Sequence, residues 1–177
     1  MVQIGSTQTI TSAVAAVDFT SGITSTYKAL NFRIYNLTPS ATAHTSMQVS
    51  VDGGSNWGNV NGTWGMGRSY LGNSGNAYGW GYDGTTGGGN TTPMHFDENQ
   101  YTDLDKAGNV DLWLYHPTST VVWKGVWWRK SHRNSNNYDF DYTGNGYWKT
   151  TSAINAVRFK FSTGNVAQGV FKMFGIK

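Results

Sequence analysis

In residues 28–36, KALNFRIYN, Leu30, Phe32 and Ile34 alternate strictly with Asn31, Arg33 and Tyr35. Side chains on an extended chain point to opposite faces with a period of two, so this pattern describes a strand with one buried face. The pattern recurs. Val17 and Phe19 share a face within a candidate strand 13–19, and Met47, Val49 and Val51 alternate with Gln48 and Ser50. Leu112 and Leu114 alternate with Trp113 and Tyr115, and Val157, Phe159 and Phe161 alternate near the end. Turn chemistry separates the runs: Pro39-Ser40, Asp52-Gly53-Gly54 and Ser162–Asn165. After that last turn the chain returns as a final strand, Val166–Ile176.

No segment carries a helical period. The chain is poor in Glu, Lys and Leu and rich in Gly, Thr, Trp and Tyr, which are strand-and-turn residues. The expectation is an all-β chain of roughly eight to ten short strands, an antiparallel β-sandwich of jelly-roll type. At 177 residues it fits a single domain, 1–177.

Two regions resist this reading. Residues 53–89 hold fourteen of the 23 glycines, interleaved with Trp57, Trp64, Tyr70, Tyr78, Trp80 and Tyr82. The composition predicts a long Gly/aromatic-rich loop insertion over 53–92, packed by its own rings, rather than regular sheet. In "VVWKGVWWR", Val121, Trp123 and Trp127 fall on one face and Val122, Val126 and Trp128 on the other. Both faces are apolar, so the strand is central or covered by a partner. A polar loop, "KSHRNSNNYDFDYTGNG", is expected to follow.

Composition removes several function classes. With no cysteine there is neither a disulfide nor a thiolate metal site. The N-terminus, MVQIGSTQTI, shows no signal-peptide pattern, and no apolar run approaches the ~20 residues of a membrane-spanning helix. Charged residues make up 13%, and the formal net charge of +3 is concentrated in Lys124, Arg129, Lys130 and Arg133. Mixed with rings, such a run could suit single-stranded nucleic acid, but the excess is thin and Asp139 and Asp141 follow closely. No nucleic-acid or membrane partner is expected.

Catalytic patterns are missing. There is no Gly-x-Ser-x-Gly elbow, no phosphate loop and no His-Glu-x-x-His. Asp103-x-Asp105-x-x-Gly108 has the start of a calcium loop, but the twelfth position is Leu114 rather than Glu. Nothing places Asp139 or Asp141 opposite another carboxylate across a cleft, as a glycosidase requires. The chain reads as a non-enzyme without cofactor or metal. Its Trp and Tyr rings suit either a core and subunit interface or a carbohydrate platform.

The segments "DFTSGITSTYKALNFRIYNLTPSATAHTSMQVSVDGGSNW", "LWLYHPTSTVVWK", "GYWKTTSAINAVRFKFSTGN" and "GVFKMFGIK" together resemble small structural proteins of tailed bacteriophages, common in marine and cyanobacterial phages. The shared signatures fall at Phe19–Tyr27, Asn36–Pro39, Ser50–Gly54, His116–Thr120 and Ser162–Gly175. His116 stands where that family often has Asn, and the glycine-rich block 58–92 is particular to this chain. The resemblance implies a virion protein made in the host cytoplasm. It would be a capsid decoration, cement or fibre component that self-associates, with a homotrimer favoured, and contacts capsid or tail proteins. The contact candidates are Trp123, Trp127, Trp128, Arg129 and Lys130. The alternative is a tail receptor-binding or carbohydrate-binding module that takes host surface glycan through rings such as Trp64, Tyr78 and Trp80.

Overall fold

In a computed structural model the chain forms twelve β-strands among the described residues, which are 1–58, 60–71, 78–83, 93–98, 100–134 and 137–177. In chain order the strands are β1 (Val2–Ile10), β2 (Val17–Phe19), β3 (Ala29–Pro39), β4 (Thr45–Ser50), β5 (Gly62–Leu71) and β6 (Tyr78–Asp83). Then come β7 (Met94–His95), β8 (Gly108–Tyr115), β9 (Lys124–Arg133), β10 (Asp139–Trp148), β11 (Ala156–Phe161) and β12 (Val166–Ile176). One short 3-10 turn, Leu104–Lys106, precedes β8. The expected all-β antiparallel sandwich is what the chain adopts.

An eight-stranded sheet runs β1-β12-β3-β8-β9-β10-β5-β6, and a four-stranded sheet runs β2-β11-β4-β7. The alternating runs become the inner faces. Leu30, Phe32 and Ile34 of β3 lie in register with Leu114, Leu112 and Val110 of β8, and all are buried. From the small sheet, Phe19 and Phe159 meet them: Phe32 sits 5.3 Å from Phe19 and 5.2 Å from Phe159, both edge-on. Edge-to-face packing is the favoured arrangement for such rings, and each large apolar side chain buried here is worth about 1.5–3 kcal/mol.

Local chemistry fixes the turns. The Ser50 hydroxyl donates to Asp52 at 2.6 Å and accepts from the Gly54 amide, while Asn56 donates to the Asp52 carboxylate. Gly53 and Gly54 take the positive φ values of 74° and 94° that the turn requires. His116, at φ 53°, occupies the left-handed region. Asn and His both visit that region more readily than most residues, so His satisfies the backbone where the resemblance leads one to expect Asn.

Two expectations need correction, and strand β1 was not anticipated at all. The glycine-rich block is not a loop throughout, because β5 and β6 within it extend the large sheet. The stretch read as a polar loop after Arg129 instead holds the end of β9 and most of β10, two strands paired through all ten positions of each. Residues 2–10, which show little alternation, form edge strand β1, where only Ile4 is buried. The reason for the first two lies in cross-strand rows on the inner face. Trp128 of β9 lies beside Gly144 of β10, Trp64 of β5 beside Gly146, and Trp148 of β10 beside Gly62. A side chain at Gly144 would fall within the Trp128 ring, and one at Gly62 would press on Trp148 at 3.2 Å. Gly144 and Gly62 are seats for indoles, while Gly146 makes room for the β5 backbone and the Trp64 Cβ; laying a ring over a strand glycine recovers the packing that a bare glycine forfeits.

Set aside β5, β6, β9 and β10 and two four-stranded sheets remain, β1-β12-β3-β8 and β2-β11-β4-β7. The β5–β6 excursion leaves between β4 and β7, and the β9–β10 excursion between β8 and β11. The two meet as a wing, β9-β10-β5-β6, that widens the first sheet.

Candidate functional site

The wing has an inner face and an outer face, and the residues singled out from the sequence divide between them. On β9, Lys124, Val126, Trp128, Lys130 and His132 point inward, while Trp127, Arg129, Ser131 and Arg133 point outward. Trp128 is fully buried, with its indole Nε1 donating to the Phe96 carbonyl at 3.3 Å. The reading of Trp128 as a contact residue is therefore corrected: its ring is core. Trp64 is likewise buried, edge-on to His95 at 5.7 Å, which removes it from any surface platform. Tyr78 and Trp80 belong to β6, and their side chains lie outside the described residues.

Lys130 is also corrected. It is not a surface charge but the centre of a buried polar cluster that joins the two sheets. Its ammonium donates to the Asp97 carboxylate, to the Thr45 hydroxyl of β4 and to the side-chain amide oxygen of Gln100. Asp97 accepts in turn from the Thr45 amide at 2.7 Å, and Gln100 donates to the Leu37 carbonyl. Burial raises the Asp97 carboxyl above its ordinary range and lowers the Lys130 ammonium, while their mutual attraction opposes both shifts. His132 lies against this pair, Nδ1 3.9 Å from Asp97, and stacks on Tyr142 at 5.5 Å. Burial and the Lys130 charge lower its pKa to about 2, so it is a neutral ring in the core.

On the outer face of β8, β9, β10 and β5 the picture is different. Trp113 of β8 lies in register with Trp127 of β9, which pairs with Asn145 of β10, which pairs with Gly65 of β5. Trp113 and Tyr115 stack with centroids 6.3 Å apart and planes 13° apart. Gly125 lies between Tyr115 and Tyr147, and a side chain there would stand 3.7 Å from each ring. Tyr115, Trp127 and Tyr147 are all exposed.

Beyond Trp127 the face becomes polar. Arg129 donates three bonds to Asp141, at 2.9, 3.1 and 2.8 Å, and Arg133 donates two to Asp139, at 2.7 and 2.9 Å. The hydrogen bonds from Arg133 hold the Asp139 carboxyl below its usual range. Each of these positive charges is matched on the spot by a carboxylate. A shallow trough of about 260 Å³ runs beside Trp127, bordered by Gly65, Gly67, Thr143 and Asn145. It adjoins a second trough of about 460 Å³ bordered by Ser69, Asn109, Asp111, Arg129 and Asp141.

The remaining candidate, Trp123, lies before β9 in a lip formed by residues 116–123. Ser119 braces the lip, its amide donating to the His116 carbonyl and its hydroxyl accepting from the amides of Val121 and Val122. The buried Lys124 ammonium gathers the carbonyls of Ser119, Val122 and Thr150 at 2.6, 3.2 and 2.9 Å. Above this brace stand Val121 at 81% exposure, Val122 at 45% and Trp123 at 52%.

Among the described residues no group of three or more His, Cys, Asp or Glu side chains could hold a metal ion, and no helix is long and apolar enough to cross a membrane. Asp103, which the sequence placed in a partial calcium loop, pairs instead with Lys106 at 2.9 Å across the 3-10 turn. Comparison of the chain with protein-family models, curated proteins and solved structures finds no match in any of the three.

Proposed function

We infer that the chain is a non-enzymatic structural protein of a tailed-phage particle, an exterior decoration or fibre component that works by burying surface against copies of itself and against its neighbours in the shell. Two features support the fold half of this reading. Numbering the eight strands outside the wing in chain order, their sheets run 1-8-3-6 and 2-7-4-5, the interleaving of a jelly roll. The quoted segments that resemble phage structural proteins contribute strands of that octet: β3, β4, β8, β11 and β12.

The observation that carries the functional half is the lip. Three consecutive apolar side chains are held in solvent on a turn that a buried ammonium braces from below. An exposed apolar cluster on a braced support marks a protein contact, and rigid aromatic anchors carry most of the energy of such interfaces. Stable contacts of this kind bury about 1,600 Å² in total, so the lip is the anchor of a larger surface.

The test is density-gradient sedimentation of native source lysate, probed for this chain, followed by labelled electron microscopy. Sedimentation with intact particles supports the reading, and the label's position separates head from tail. A chain that stays at the top of the gradient ends it. Light scattering of the purified protein then reads the expected trimer directly.

A further inference from the structure

We propose that the outer face of the wing, the aromatic shelf of Tyr115, Trp127 and Tyr147 together with the glycine-floored trough beside it, is a binding site for an uncharged saccharide chain. This goes beyond the particle reading and does not depend on it, because the lip and the shelf are separate sets of side chains.

Three observations converge on that ligand class. The first is ring presentation. Exposed rings from three neighbouring strands lie on one face, and Trp113 and Tyr115 hold their planes nearly parallel, 13° apart. A pyranose offers flat C–H faces to such rings, and tryptophan and tyrosine bury large area there with few rotors to freeze.

The second is the floor. Gly65 and Gly67 point outward from β5 and carry no side chain, so the face dips beside Trp127 while Asn145 and Thr143 line the dip with an amide and a hydroxyl. The core of a protein interface is apolar and depleted of charge. Here amide, hydroxyl and carboxylate groups are interleaved with the rings, which suits a ligand carrying a hydroxyl on nearly every carbon.

The third is the charge. Arg129 and Arg133 are already committed to Asp141 and Asp139 through five hydrogen bonds. A face whose cations are neutralised in place does not draw an anionic polymer. The carboxylates border the adjoining trough, and a carboxylate has lone pairs beyond those its fork uses to accept from sugar hydroxyls. Preorganised polar groups of this kind give affinity because they need not be ordered on binding.

Affinity electrophoresis of the full chain tests the site, in native gels containing hydroxyethylcellulose, galactomannan or dextran, with alginate as the anionic control. The expected result is retardation in at least one neutral gel, insensitive to salt because the saccharide is uncharged, with none in alginate. Trp127→Ala should weaken it about tenfold or more while thermal unfolding is nearly unchanged. Val2→Ser, an exposed residue on β1 at the opposite edge of the large sheet, should migrate as the parent does. No retardation in any neutral gel overturns the proposal, as does retardation that Trp127→Ala leaves intact, or that appears only in alginate. Co-sedimentation of Trp127→Ala with particles separates the two readings. A variant that loses saccharide but still sediments leaves the particle role standing, and a parent chain that binds saccharide but never sediments removes the particle role alone.

Discussion

Trp127 and Trp128 are neighbours in the chain, yet one is 37% exposed and the other fully buried. The same contrast runs along β9, β10 and β5. The inner face carries Trp128 and Trp148 seated on glycines, and a lysine bonded to three partners. The outer face carries a half-exposed aromatic shelf and arginines forked onto aspartates. Both faces use the same residue types. What separates them is that groups on the inner face have no water to fall back on, so each ring needs a seat and each charge a partner.

The largest effects should come from the inner face. Removing the ammonium with Lys130→Ala strands Asp97 in the core and should cost about 3–5 kcal/mol in urea unfolding. The equivalent outer change, Arg129→Ala, breaks a solvent-screened pair and should cost less than about 1 kcal/mol. If the two costs were equal, the inner cluster would not be dry. Trp128→Ala should likewise cost about 3–5 kcal/mol, against a few tenths for Trp127→Ala.

Glycines give a second pairing. Gly144→Ala drives a methyl into the Trp128 ring and should destabilise by about 1–3 kcal/mol, whereas Gly125→Ala meets Tyr115 and Tyr147 only at 3.7 Å and should stay within about 0.5 kcal/mol. Near-equal melting shifts for the two would show that the indole can move aside.

Acid should reveal the buried histidine. The unfolded chain protonates His132 near 6.5 and the folded one only near 2, so below pH 6.5 the unfolded state binds the extra proton and stability falls as pH falls. The slope from this residue approaches about 1.4 kcal/mol per pH unit. His95, lowered to about 4 by burial and by His44, adds in the same direction. His132→Phe should flatten the decline between pH 6.5 and 4, read by urea midpoints across that range. An unchanged profile would place the titrating group elsewhere. Smallest of all in stability, Trp123→Ala should leave unfolding unaltered and reduce only the fraction of chain that sediments with particles.

The sandwich was legible where one face of a strand is buried and the other wet. Leu30, Phe32 and Ile34, and again Val157, Phe159 and Phe161, announce their strands and their inward side. Legibility failed in the wing for a specific reason. In β10 the inward positions 144 and 146 are glycine, so the alternation that marks a strand has gaps where large side chains belong. Those gaps are filled by Trp128 and Trp64 from the neighbouring strands. A pattern completed by another segment cannot be read within its own. Lys130 was misread for the same cause, since Asp97, Gln100 and Thr45 are 30 to 85 positions away along the chain.

Sequence alone therefore determined the β class, the turns at Asp52–Gly54 and Ser162–Asn165, and six strands of the octet, β2, β3, β4, β8, β11 and β12, because those depend on local backbone preference and on a period of two. Only the tertiary structure decided which tryptophans are core and which face water, and that glycine-rich chain becomes sheet. It alone decided that the basic run splits between a buried cluster and neutralised surface forks. Those outcomes depend on what lies across the strand or across the sandwich, and burial is a property of the assembled neighbours rather than of the residue.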